Sequence, residues 1–205
     1  MDSSNELMVL QCIISSKEEK KMRKFVQIML LACLVIFSTQ VAFANADKAT
    51  VQEGADLTDV HRLAIASPLY MPRKDAPSKD ELLAIMNKAS SFARCYVLSY
   101  DMVAEEIQKD NGIDIRALDR RQASKVYKEG VAKTADAYVV LTVANNGRTN
   151  FFFDVYKSGT NDLLYTYQIV ANKSEPDNEV TFNLLCEQFF KNFERSVGEQ
   201  AKGKK

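Results

Sequence analysis

Side chains able to perform acid–base or nucleophilic chemistry are few and widely spaced in this sequence. His61 is the only histidine, so a Ser-His-Asp or Cys-His arrangement would have one possible base. It stands beside Arg62 in a short apolar run, a position typical of a solvated histidine at a strand edge. One histidine with the distant Cys95 and Cys186 gives no zinc-ligand spacing. We therefore predict neither a catalytic site nor a metal site.

Sequence motifs that bind phosphate groups are also missing. None of the seven glycines belongs to a G-x-x-x-x-G-K-[ST] or G-x-G-x-x-G motif. Glu105 and Glu106 are adjacent, and neighbouring side chains on a helix diverge rather than converge on one substrate atom. The guanidinium groups of Arg116, Arg120 and Arg121 suit a phosphate or a carboxylate, but this pattern is typical of a solvated basic face. The sequence predicts no cofactor and a protein that is not an enzyme.

The clearest motif is an export signal near the N-terminus. Arg23 and Lys24 form a positive flank, and an unbroken apolar run of ten residues, Ile28–Phe37, follows. Because a helix needs about 20 residues to cross a bilayer, this run is too short for a permanent membrane anchor. A basic flank followed by a short apolar run is typical of a secretory signal.

A cleavage site follows the apolar run. Ala42 and Ala44 place small side chains at the two positions that a signal peptidase recognises, so cleavage is expected before Asn45. Ala44 and Ala46 form an alternative site slightly further along the chain. We therefore predict an exported protein, periplasmic or secreted, with no transmembrane anchor after cleavage.

Two features of this region allow other interpretations. The 21 residues before Met22 push the signal inward, so the simplest account is that translation begins at Met22. Leu30–Cys33 resembles a lipobox, which would make the protein a lipoprotein anchored through Cys33. However, Cys33 is followed by further apolar residues where a mature lipoprotein would turn polar. A cysteine buried in the apolar run of the signal is the better interpretation.

The remaining chain has the size and charge of one ordinary domain. Removal of residues 1–44 leaves 161 residues, with 22 basic and 23 acidic side chains. This balance gives no reason to expect nucleic acid or an anionic membrane surface as partner. Cys95 and Cys186 either form one disulfide or remain free, with Cys186 as a buried thiol. We predict a flexible lead-in at 45–58, a single domain at 59–197 and a basic tail at 198–205.

The first half of the domain alternates apolar runs with helical patterns. Ser78 and Glu81 form a capping box, which predicts a helix start. Asp101 is a candidate cap for the next helix and Gly112 its stop, while Gly130 weakens the third helical pattern. The predicted elements are a strand at 60–67, a helix from Ser78, a strand at 96–100, a helix from Asp101 and a helix at 119–134.

The second half changes to the period of β-strands. Turn residues at 146–147 and 158–162 link the strands closely, which predicts an antiparallel meander. The predicted strands are 137–144, 149–157 and 163–171. A closing helix follows, with an apolar stripe formed by Phe182, Leu185, Cys186, Phe189 and Phe193. The order of elements predicts an α/β (α+β) fold with a mixed sheet of about five strands, flanked by about four helices.

One side of the meander is the best candidate for a binding surface. Along each strand one side is uniformly apolar, and the other mixes aromatic with polar groups. The apolar side requires helices over it, whereas the mixed side is either partly covered or open to a partner. The candidate surface on the mixed side consists of Tyr138, Phe152, Asp154, Tyr156 and Gln168.

Two phrases in this region resemble those of known envelope proteins. Ala132–Tyr138 is an Ala-rich phrase that closes a helix and leads into a strand, and Asp154–Leu164 marks the last hairpin. Both resemble the small α/β domain at the N-terminus of TolB and the LpoB- and CsgG-like bacterial envelope proteins, over roughly residues 60–197. The resemblance implies a non-catalytic envelope module that binds other proteins.

These features predict an exported bacterial envelope protein that acts as a protein-binding or assembly module, with envelope proteins as partners. A small periplasmic hydrolase with an unrecognised site and a purely structural secreted protein are the alternatives. A buried pocket with converging carboxylates or His61 would favour the enzyme. A solvent-open aromatic patch would favour binding.

The predicted processing is testable by mass spectrometry of the exported protein. Because Ala42 and Ala44 satisfy the signal peptidase, the mature chain is expected to begin at Asn45, or at Asp47 if the alternative site is used. A lipidated peptide beginning at Cys33 would contradict this prediction.

Overall fold

The computed structural model describes residues 46–145 and 147–204 of the chain. The strands are β1 Ala46–Val51, β2 Arg62–Ile65, β3 Tyr96–Leu98, β4 Ala137–Asn145, β5 Thr149–Lys157 and β6 Leu163–Val170. The α-helices of this part of the chain are α1 Lys79–Ala89, α2 Tyr100–Asn111, α3 Arg120–Val131 and α4 Glu179–Gly203. The predicted α/β class is confirmed, with six strands instead of about five.

The strands form one mixed sheet in the order β1–β6–β5–β4–β2–β3. β4, β5 and β6 are the predicted antiparallel meander, and its ladder shifts register once, between Val155 and Tyr156. β2 lies parallel to both β3 and β4. It is shorter than the predicted 60–67, because the chain leaves the ladder and reaches β4 again at Leu69, one residue past Pro68.

The predicted flexible lead-in at 45–58 requires correction, because β1 lies within it. β1 pairs antiparallel with β6, and Asp47 accepts a hydrogen bond of 2.8 Å from the Tyr167 hydroxyl. A short 3-10 turn, Leu57–Asp59, follows, and the Leu57 side chain is fully buried. The sequence of β1 is polar and has no period, so it gives no strand signal. The strand forms because it pairs with the free edge of β6.

The predicted basic tail at 198–205 also requires correction, because α4 continues to Gly203. Gln200 holds this end in place: its Oε1 accepts from the Leu57 N–H at 2.8 Å, and its Nε2 donates to the Ala55 carbonyl at 2.9 Å. Tertiary hydrogen bonds to the segment after β1 therefore order a stretch that looks like a solvated tail in sequence.

Helix ends follow the predicted local chemistry, with one difference. The capping box is present, since the Ser78 N–H donates to Glu81 Oε2 at 2.6 Å and the Glu81 N–H to Ser78 Oγ at 3.2 Å. Gly112 ends α2 in the left-handed region at φ 73°. The cap of α2 is Ser99 rather than Asp101, because β3 ends at Leu98 and the helix starts immediately after one extended residue.

Two helix pairs cover the sheet unequally. α1 and α4 pack on the uniformly apolar side, and the predicted α4 stripe is fully buried there. Phe189 stacks on Phe153 with ring centroids 4.2 Å apart. α2 and α3 pack on the other side, against β2, β3 and the first residues of β4. Among the described residues, no helix combines the length and apolarity that a bilayer crossing needs.

Gly130 brings α2 and α3 into close contact. A Cβ atom at this position would lie 2.6 Å from Ile107 Cδ1 and would also overlap Cγ1 of the same side chain. Ile107 is buried, so it has little room to move. The residue that weakens the helical pattern in sequence is therefore required for helix packing.

The two glycines inside long helices are expected to respond oppositely to alanine. Gly130→Ala should lower the free energy of unfolding by about 1–3 kcal/mol, because it overpacks the α2–α3 contact. Gly198→Ala in α4 should raise it by up to about 1 kcal/mol, since nothing lies within 4 Å of its Cβ position and alanine favours helix. Urea unfolding of both variants tests this, and stabilisation by Gly130→Ala would show that the helices are not in close contact.

Candidate functional site

The predicted binding residues lie on one side of the meander, aligned by the strand register. Phe152 of β5 stands between Thr142 of β4 and Gln168 of β6, and Gln168 in turn faces Lys48 of β1. A second row runs parallel to it through Asp154, Thr166 and Thr50. We name this surface the open face and define it by Lys48, Thr50, Thr142, Phe152, Asp154, Thr166 and Gln168.

Partial exposure distinguishes the open face from the opposite side of the same strands. Along β5, the side chains facing α4 are buried, whereas Phe152 and Asp154 between them are half-buried. The same alternation in β6 leaves Thr166 and Gln168 half-buried. Lys48 is exposed on the outer strand. Phe152 is therefore partly accessible to solvent at the centre of this face, with Thr142 and Gln168 on either side and the half-buried Val140, Ala144 and Val170 on its diagonals.

Few charges contribute to the open face, and they are set apart. Asp154 accepts a hydrogen bond of 2.9 Å from Thr166 Oγ1, which fixes the orientation of its carboxylate. Lys48 lies on β1, two strands away in the adjacent row. The face thus offers hydroxyl and amide hydrogen-bonding groups beside Phe152, with Asp154 two residues along the same strand and Lys48 on the outer strand β1.

Tyr138 requires correction as a member of the candidate surface. It is 1% exposed, because α3 covers the beginning of β4. The Tyr127 ring contacts the Tyr138 ring edge-on, with centroids 6.0 Å apart. The Tyr138 hydroxyl donates to Asn161 Oδ1 at 2.6 Å. Burial raises the pKa of Tyr138 to about 12. Tyr138 is a core residue.

Tyr156 marks the border of the covered region. Its ring stacks on Tyr138 with centroids 5.4 Å apart, and it remains half-buried. The helix pair α2–α3 therefore ends above Tyr138, and only Phe152, Asp154 and Gln168 of the predicted set lie fully within the open face.

Sequence reasoning missed the contribution of β1 to this surface. Lys48 and Thr50 enter the open face because β1 pairs with β6, and the sequence of β1 gives no strand signal. Thr142 and Thr166 lie on the predicted strands and follow from the same alternation as Phe152. Their polarity next to an aromatic residue was the available signal.

The other chemically capable residues do not converge. His61 is exposed, and its backbone N–H and that of Arg62 donate to Asp136 Oδ2 at 2.9 and 2.8 Å. Arg116 is bound to Asp114 through a hydrogen bond of 2.8 Å, which also lowers the pKa of Asp114. Glu106 binds Lys109 of its own helix at 2.7 Å. These groups are engaged locally.

Both cysteines of the domain are free in the structure. Cys186 is fully buried on the side of α4 that faces the sheet, and burial raises the pKa of its thiol above the usual range. Cys95 is half-buried, and the pKa of its thiol is raised to about 12, chiefly by burial. Neither environment activates a thiolate.

His61 lines neither of two clefts that lie among the described residues. The larger, of about 570 Å³, lies among three loops and includes Glu175 and Asp177. Glu175 accepts from the Asn172 N–H at 2.9 Å, and Asp177 pairs with Arg73 at 3.6 Å, so these carboxylates are held by local partners. In the part of the chain described, no group of three His, Cys, Asp or Glu side chains is placed to hold a metal ion.

Comparisons with known proteins give distant likenesses in fold. No protein-family model matches the sequence, and no curated protein matches it significantly. The chain is similar to the PelC dodecamer from Paraburkholderia phytofirmans, with a TM-score of 0.41, 8% identity, and coverage of 73% of this chain and 97% of that one. It is also similar to the LpoB C-terminal domain from Escherichia coli, with a TM-score of 0.43, 12% identity, and coverage of 58% and 89% respectively. LpoB is one of the proteins that the sequence resembles, whereas the resemblance to TolB and CsgG stays a prediction.

His61 is expected to be dispensable for folding. His61→Ala should change the free energy of unfolding by no more than about 0.5 kcal/mol, because only its backbone bonds Asp136. Asp136→Ala is the contrasting variant: it removes the acceptor of two backbone N–H groups and should cost on the order of 1 kcal/mol. An activity of the protein that His61→Ala abolishes without loss of folding would identify an enzyme.

Proposed function

We propose that this protein is an exported, non-catalytic protein-binding module of the bacterial cell envelope, and that the open face is its binding surface. The observation that carries the proposal is the half-exposed Phe152 at the centre of a sheet face that α2 and α3 leave uncovered. Export is supported by the signal pattern at residues 22–44. This pattern, with Cys33, Ala42 and Ala44 in it, and the adjacent Asn45 lie outside the described residues. The envelope setting is supported by the sequence resemblance.

The physical character of the open face suits a protein partner. Aromatic side chains surrounded by polar groups are the usual centres of binding energy in protein interfaces. The face extends over four neighbouring strands, and none of its residues lines either of the two clefts described above, so it suits an extended protein surface better than a small molecule, which requires a concave site. Its strands are held from behind by α1 and α4, so binding requires no rearrangement of the sheet.

The proposal predicts that truncation of Phe152 weakens partner binding. Envelope proteins are captured with the tagged exported protein, and the affinity of the recovered partner is then measured for each variant. Phe152→Ala should weaken binding about tenfold or more, the loss typical of a central interface residue. Phe92→Ala is the control, since Phe92 is 42% exposed on a different part of the surface.

Both variants require a melting curve close to that of the parent protein. Equal affinity of Phe152→Ala and the parent for the partner would contradict the open face as the binding surface. Failure to capture any partner from the envelope would favour the purely structural alternative.

A further inference from the structure

The edge of the sheet formed by β3 is a second surface, separate from the open face. β3 ends the strand order, and within residues 46–145 and 147–204 its only strand partner is β2. The ladder is parallel, with Tyr96 opposite Arg62 and the Tyr96 N–H donating to the His61 carbonyl at 2.9 Å. The direction of every backbone group in β3 follows from this bond.

In a parallel ladder, the N–H and C=O of one residue point to the same side, and successive residues alternate. Because Tyr96 and Leu98 point toward β2, the backbone groups of Val97 point away from the sheet. In the described part of the chain, the Val97 N–H has no hydrogen-bond acceptor. An edge of this kind is a template for another strand.

A groove lies directly beside this edge. It has a volume of about 380 Å³ and lies between β2 and β3, α2, and the turn that follows α3. Tyr96 forms part of its lining and is 56% exposed, and Met102 of α2 is 39% exposed. Arg62 lies 5.9 Å from the centre of the Tyr96 ring and holds it from the side of β2. Two large apolar side chains therefore face solvent beside unpaired backbone groups.

The opposite edge of the sheet differs in its chemistry. β1 carries the charged Asp47 and Lys48 within the strand, and charges on an edge strand disfavour pairing with another chain. β3 has no charged residue. β3 thus lacks protection by charge, and its length of three residues confines added backbone pairing to Val97.

We propose that β3 and its groove bind an extended segment of a protein partner by strand addition. The backbone of the segment pairs with the outward N–H and C=O of Val97, and alternate side chains point over Tyr96 and Met102. The lining of the groove carries both signs of charge, since Arg62 and Lys133 lie there together with Glu105 and Glu106. The segment that fits carries an apolar side chain that packs on the exposed Tyr96 and Met102.

Selection of peptides and a proline variant test this inference. A phage-displayed library of random heptapeptides is selected on the immobilised full chain, and the enriched peptide is synthesised with a fluorescent label. Its affinity is compared for the parent protein, Val97→Pro and Val97→Thr. Proline removes the outward N–H without touching the ladder to β2, and threonine retains the N–H in a side chain of similar shape.

Val97→Pro is expected to weaken binding about tenfold or more, and Val97→Thr to change it less than about threefold. Amide hydrogen exchange at Val97 should slow when the peptide is bound. Tyr96→Ser provides a second variant if the proline variant does not fold, and it should also weaken binding, since it removes the exposed ring.

Several results would overturn the inference. One is the absence of any enriched peptide, and another is a peptide that binds the parent and Val97→Pro equally. A peptide that is sensitive to Phe152→Ala and not to the Val97 variants would assign binding to the open face instead. Self-association that Val97→Pro abolishes, without peptide binding, would show that the occupant is a second copy of the chain.

Discussion

The contact between α4 and the meander is the interaction on which the rest of the structure depends. Phe189 stacks on Phe153 of β5 at an interplanar angle of 8°, and Tyr165 and Phe193 pack around this pair. All of these side chains are fully buried. Burial of several aromatic residues on one helix contributes far more free energy than any single hydrogen bond of the fold. With α1 beside it, α4 buries the apolar side of β5 and β6.

Because the apolar side of the meander is buried under α1 and α4, the fold does not require helices over the opposite side of these strands. The parallel pair β2–β3 is covered by helices on both sides, as parallel strands generally are, and Ala64 and Leu98 are buried under α2 and α3. The antiparallel strands tolerate solvent on one side, and the helix cover stops above Tyr138. The open face is therefore the part of the sheet that the fold does not need for its own core.

The open face and the β3 edge differ in how they would recognise a partner. At the open face, side chains around Phe152 provide the contacts, so the identity of the partner's surface residues decides the affinity. At β3, backbone groups provide the hydrogen bonds, and the groove next to Tyr96 selects the side chains. The two surfaces lie on different parts of the sheet, since β2 separates β3 from the strands of the open face.

Local sequence was sufficient wherever the deciding interaction is local. The capping box at Ser78, the end of α2 at Gly112, the bounds of β5 and the apolar stripe of α4 all follow from neighbours within a few residues. Tertiary structure decided the features whose partners are distant in sequence. β1 exists because β6 offers a free edge, α4 extends to Gly203 because Gln200 binds the segment after β1, and Tyr138 is buried because α3 lies over the start of β4. Gly130 is a further example, because its role in helix packing depends on Ile107 in another helix. The periodicity of a sequence indicates which secondary structure a segment forms and which of its sides is apolar, but not which distant residues will pack against that segment.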